Sequence, residues 1–252
     1  MDKANLFVLG CGRSGTSLVA GLFRNAGYFM GENLLLPQDG NPLGFFEDRE
    51  VNSINEDLIG SHLPQRFSHQ GIGYGADIPA RRQRWLARLP LDARPEAAPA
   101  ERERIRALVR QTPFCFKDPR FCYTLHLWRR EVPNARCLCV FRDPREVVAS
   151  MLKEIRSAPY LRDLAISVEE AFEIWRTMHQ HVLGRHSQEG EWLFVRYDDL
   201  FRADMLDRVE SFAGAAIDRG FPRRDLRRSA ASLPVDAATA EIFAALRERA
   251  AG

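Results

Sequence analysis

The stretch Gly10-Cys11-Gly12-Arg13-Ser14-Gly15-Thr16-Ser17 has the residue types of an anion cradle. It lies between an apolar run, Leu6-Phe7-Val8-Leu9, and an amphipathic one, Leu18-Val19-Ala20-Gly21-Leu22-Phe23. A short strand should therefore lead through a glycine turn into a helix. The first N–H groups of such a helix lack partners, and its dipole is positive at that end. Gly10, Gly12 and Gly15 would let the backbone turn tightly and close on a bound phosphate. The two outer glycines have the spacing of G-x-x-x-x-G-K-[ST], but Thr16 stands where that motif has its lysine. The only cation of the loop is Arg13, so the expected ligand is a phosphate with little need of a triphosphate.

Two later stretches share one grammar. Phe114-Cys115-Phe116-Lys117-Asp118-Pro119-Arg120 and Cys139-Val140-Phe141-Arg142-Asp143-Pro144-Arg145 each read as a strand closed by a cation, then Asp-Pro-Arg. In each, the Asp suits a helix N-cap and the Pro the first helical position. Glu146, three residues after Asp143, adds a capping-box pattern. Ligands of open parallel sheets sit outside the carboxyl ends of the strands. Lys117, Arg142 and the first loop should therefore converge on one crevice. Ser150 follows Arg142 by eight residues, a hydroxyl unremarkable by itself. Glu47 precedes a helical run with Val51, Ile54, Leu58 and Ile59 on one face. Read alone, it complements the helix dipole.

The elements that must position these residues fit one α/β domain over residues 1–252 with a mostly parallel sheet. Gly27 to Phe45 should be a long loop, rich in glycine and proline. Residues 61–112 read as a helical lid or insertion, with short charged helices at Arg81–Leu89 and Glu101–Gln111 and a flexible loop at Gly71–Gly75. A long helix is expected over Val168–His186 and a fourth strand at Trp192–Arg196, followed by Tyr197-Asp198-Asp199-Leu200. His179 and His181, two apart on that helix, do not share a face and read as surface or packing residues. Arg223, Arg224, Arg227 and Arg228 read as a solvated basic face.

Composition narrows the classes. Hydrophobic residues at 45%, charged residues at 28% and a net charge of +2 describe an ordinary soluble globule with no global field for nucleic acid. No run approaches the roughly 20 apolar residues of a membrane span, and no leader is visible. The five cysteines, Cys11, Cys115, Cys122, Cys137 and Cys139, read as reduced buried thiols of a cytoplasmic protein.

From Leu6 to Leu200 the chain resembles the sulfotransferases that use 3'-phosphoadenosine 5'-phosphosulfate (PAPS). Arg13-Ser14-Gly15-Thr16-Ser17 is similar to that family's 5'-phosphosulfate loop. Arg142 and Ser150 match its 3'-phosphate pair, Tyr197 its adenine-contacting tyrosine, and Lys117 a lysine near the sulfate. The phenol and steroid members place a catalytic histidine where this chain has Pro119. Gly44-Phe45-Phe46-Glu47-Asp48 looks like the glutamate-bearing segment of bacterial members, which makes Glu47 the expected base, with Asp48 as the fallback.

The resemblance implies a P-loop-like three-layer α/β fold. It also implies PAPS as co-substrate, 3'-phosphoadenosine 5'-phosphate (PAP) as product, no obligatory metal, and in-line transfer to a hydroxyl of a glycan or small metabolite. Arg13 and Lys117 would stabilise the charge that develops. The competing expectations are a P-loop kinase-like phosphotransferase and a non-catalytic nucleotide-binding module.

Overall fold

The computed structural model describes residues 2–38, 41–64, 67–69, 72–223 and 232–252. Four parallel strands form the central sheet: β1 (Leu6–Leu9), β4 (Cys115–Lys117), β5 (Arg136–Phe141) and β6 (Trp192–Arg196), in the order β4-β1-β5-β6. Their runs of Phe, Leu, Val and Cys are nearly continuous because both sheet faces are buried. Phe7, Leu9, Phe116, Cys139 and Phe141 point into one core, and Leu6, Val8, Cys115, Leu138 and Val140 into the other. The result is three layers.

The helices divide accordingly. α1 (Thr16–Leu22) and α7 (Ala203–Ala213) cover the second core. The first is covered by α2 (Arg49–Gly60), α3 (Pro99–Val109), α4 (Phe121–Glu131), α5 (Pro144–Ser157), α6 (Val168–Gly184) and α8 (Ala237–Ala251). The helix after β1 thus lies on one face, and those after β4 and β5 lie on the other. That reversal opens a crevice at the carboxyl ends of the strands. Register completes the placement: Val8 pairs with Lys117, and Leu9 with Cys139.

The segment after α2 departs from the expected helical lid. It contains a two-stranded antiparallel ribbon, β2 (Phe67–His69) with β3 (Ile72–Tyr74), where a flexible loop is expected; Gly71 lies outside the described residues. Of the two expected helices there, only α3 forms. Over Arg81–Leu89 there is a single 3-10 turn, Arg84–Leu86. Arg82 has φ 75°, and a left-handed residue cannot continue a right-handed helix.

A second departure concerns Asp118. It does not cap α4, which starts at Phe121 after Arg120. The Asp143 expectation holds: its carboxylate accepts the Arg145 N–H, with Pro144 as the first helical residue. Glu146 instead turns its carboxylate to Arg142, with Nε at 2.6 Å. His179 and His181 are buried, so neither is a surface residue. All five cysteines are buried and free. Among the described residues no helix is long and apolar enough to cross a membrane.

Candidate active site

A cavity of about 500 Å³ occupies the crevice, lined among others by Gly12, Arg13, Gly15, Thr16, Ser17, Glu47, Lys117, Arg142, Ser150 and Tyr197. Of the expected site residues it leaves out Ser14, Gly10 and the fallback base Asp48. The Ser14 side chain is buried, its hydroxyl has no partner among the described residues, and its N–H bonds the Cys11 carbonyl.

The loop owes its course to its glycines. Gly15 has φ 97° and is the residue before α1. A Cβ there would lie 2.4 Å from Tyr197 Cδ2, and one at Gly12 would lie 2.4 Å from Trp85 Cε3. Two rings thus press on the backbone from either side, and only glycine leaves them room. Both rings line the cavity. Among the described residues no side chain caps α1, so the Thr16 and Ser17 N–H groups stay open there to a ligand at the positive end of the helix.

The first cationic cluster joins the loop to α5. The Arg13 guanidinium donates from Nε to Ser150 Oγ at 3.1 Å and lies 3.7 Å from Glu154. Arg142, at the end of β5, lies 4.5 Å above the Tyr197 ring and pairs with Glu146. The two expected phosphate grips therefore abut: Arg13 of one touches Ser150 of the other.

The second cluster is a buried network in the cavity wall. Glu47 and Lys117 form an ion pair in which both groups are buried. Asn52 Nδ2 bridges Glu47 Oε2 at 2.9 Å and Asp118 Oδ2 at 3.0 Å. Asn55 also donates to Asp118, at 3.0 Å. Arg120 reaches Asp118 Oδ1 at 2.9 Å and Glu56 Oε1 at 2.8 Å. Burial pushes the Glu47 carboxyl above the ordinary glutamate range, a shift opposed by Lys117 and Arg120. A carboxylate raised this way and open to a cavity suits proton abstraction. Asp48 does not: its side chain caps α2 by accepting the Glu50 and Val51 N–H groups.

Several lining residues escaped the sequence reading. Trp85 could have been singled out as a lone aromatic in a charged stretch, but nothing local places it on Gly12. Arg49, Asn52, Ser53 and Glu56 line the cavity together, spaced three and four apart on α2. Arg223, read as part of a solvated face, lines it too; Arg224, Arg227 and Arg228 lie outside the described residues. The three non-glycine residues with left-handed φ among those described, Arg13, Phe46 and Arg82, all stand in the wall or beside it. Such strain gathers where a site holds its groups in place.

Comparison with known proteins bears on the family and the fold. A family model described as "Sulfotransferase family" matches residues 5–218. Among solved structures, the sulfotransferase domain from the curacin biosynthetic pathway matches at TM-score 0.51 and 16% identity over 98% of both chains. That of the Synechococcus PCC 7002 olefin synthase matches at 0.50 and 19%, over 100% of this chain and 97% of the other. A sulfotransferase from Mycobacterium avium matches at 0.50 and 17%, over 98% and 68%. At these identities the likeness is one of fold. No curated protein matches the chain in sequence.

Proposed function

The chain belongs to the sulfotransferase family, and we propose that it moves a sulfuryl group from PAPS to the hydroxyl of a glycan or small metabolite. The observation that carries this reading is a single cavity wall. It unites the open end of α1, the cations Arg13, Lys117 and Arg142, the ring of Tyr197 and the buried base candidate Glu47. PAPS has phosphates at two positions of one nucleoside, and this wall has two adjoining sets of donors.

In the proposed reaction Glu47 takes the proton from the acceptor hydroxyl as its oxygen attacks sulfur in line. The bond between sulfur and the 5'-phosphate oxygen breaks, and PAP keeps that electron pair. Lys117 and Arg13 stabilise the growing negative charge, together with the Thr16 and Ser17 N–H groups. Arg142 and Ser150 hold the 3'-phosphate, and Tyr197 the adenine. None of these roles requires a metal.

Calorimetry with PAP tests the donor. Arg142→Ala should weaken PAP by about 1.5–3 kcal/mol, the worth of a charge-assisted contact. Adenosine 5'-phosphosulfate lacks the 3'-phosphate, so its affinity should barely change. Equal losses for both ligands, or binding of ATP with Mg²⁺ in preference to PAP, would overturn the assignment.

A further inference from the structure

We propose that the acceptor is an anion, a hydroxyl compound that also carries a carboxylate, phosphate or sulfate group, and that Arg49 and Arg82 bind that group. This rests on the sulfotransfer reading of the cavity and adds to it the charge of the second substrate.

One face of α2 turns Arg49, Asn52, Ser53 and Glu56 to the cavity, beginning two residues after the candidate base Glu47. Arg81 and Arg82 line the cavity with them. The carboxylates in reach are already matched. Glu47 pairs with Lys117, and Glu50 with Arg104 at 2.6 Å. Glu56 pairs with Arg120 at 2.7 Å, and Asp57 with Arg81 and Arg104. The Arg49 and Arg82 guanidiniums make no hydrogen bond or ion pair among the described residues.

Both are held where a merely structural residue would be a poor choice. Arg49 is the first residue of α2, at the positive end of the helix dipole, which disfavours a cation. Arg82 has φ 75°, and its N–H is fixed on Glu56 Oε2 at 2.8 Å. A strained backbone pinned by a buried carboxylate sets the direction of that side chain. The donor's charges have other partners, since Arg13, Lys117 and Arg142 belong to the loop and the strand ends. Arg49 and Arg82 belong to α2 and the segment after β3, on the side of Glu47. Both residues are exposed, so their charge there is open to a second anion entering from solvent, and two guanidinium forks suit a carboxylate or phosphate.

The test titrates PAP-saturated protein with three matched pairs: p-nitrophenyl β-D-glucuronide and glucoside, 4-hydroxybenzoate and its methyl ester, and 3-hydroxydecanoate and its methyl ester. In at least one pair the anionic member should bind the wild type more tightly. That preference should fall at least about tenfold in both Arg49→Gln and Arg82→Gly, the loss expected for a charge-assisted contact. Arg82→Gly keeps the left-handed φ available at that position, and retained PAP affinity shows that the variant is folded. PAP affinity should stay as in the wild type.

Equal binding within every pair, no binding of any anionic member, or unchanged preference in both variants overturns the proposal. So does a parallel loss of PAP affinity, which would assign the two arginines to the donor. Failure of the wild type to bind PAP at all would instead strike the donor reading beneath it.

Discussion

Glu47→Gln lowers turnover by about 10²–10⁴-fold, the usual contribution of a positioned general base, while PAP affinity changes by less than about threefold. Glutamine keeps the shape and can still accept the Asn52 hydrogen bond at 2.9 Å, so the site is not emptied. What disappears is the proton acceptor. The pH profile separates this role from a structural one. Burial holds the Glu47 carboxyl above the ordinary glutamate range. A base works only when deprotonated, so kcat/KM should rise with pH through that elevated value and level off above it. In Glu47→Gln that acid limb should vanish.

The substitution has a second signature. Lys117, only 3% exposed, loses its counter-ion, and an unpaired buried ammonium is costly. The ligand-free variant should therefore melt below the wild type. PAP should raise its melting temperature by about as much as it raises that of the wild type, because a nearly unchanged affinity means a nearly unchanged stabilisation by the ligand. A variant that binds PAP normally and still turns over near the wild-type rate would remove Glu47 from the chemistry. A variant that loses both in proportion would make it a structural residue.

Arg120→Leu is the largest expected effect on folding, a loss of about 3–5 kcal/mol, because it strands two buried carboxylates at once. Arg120 is 5% exposed, and Asp118 and Glu56 are equally hidden. Leucine fills part of the volume but answers neither charge. Arg120→Lys should recover part of the loss, since it restores the charge without the planar fork that spans both partners.

Urea titrations of wild type and variant at neutral pH measure the gap. A loss below about 1 kcal/mol at neutral pH would mean that the network stabilises far less than its burial implies.

The sulfotransferase resemblance rests on short-range features, and these were legible from the sequence. An apolar run, a glycine turn and an amphipathic stretch must form strand, loop and helix whatever surrounds them, and β1 and α1 follow that order. Asp143-Pro144 caps α5 because capping is a contact between residues two apart. The parallel sheet, and with it the convergence of Lys117, Arg142 and the loop, followed from strands that end in a cation and lead into a helix. Asp118-Pro119 shows the limit of such reasoning. Asp118 accepts the Arg120 N–H as Asp143 accepts that of Arg145, yet α4 starts only at Phe121, and the Asp118 carboxylate also serves Asn52, Asn55 and the Arg120 guanidinium.

Folding alone decided which side chain meets which across the crevice. Arg13 and Ser150 are separated by 137 residues, Lys117 and Glu47 by 70, and Arg120 and Glu56 by 64. No periodicity links such pairs, because the chain between them passes through whole elements whose packing sets the distance. The same is true of Trp85 against Gly12, and of Arg49 and Arg82, which reach one cavity with Glu47 from α2 and from the segment after β3. The order of elements and the sites of positive charge were thus written locally. The pairing of those charges, and the two arginine side chains it leaves without a partner among the described residues, came from three layers packing against one sheet.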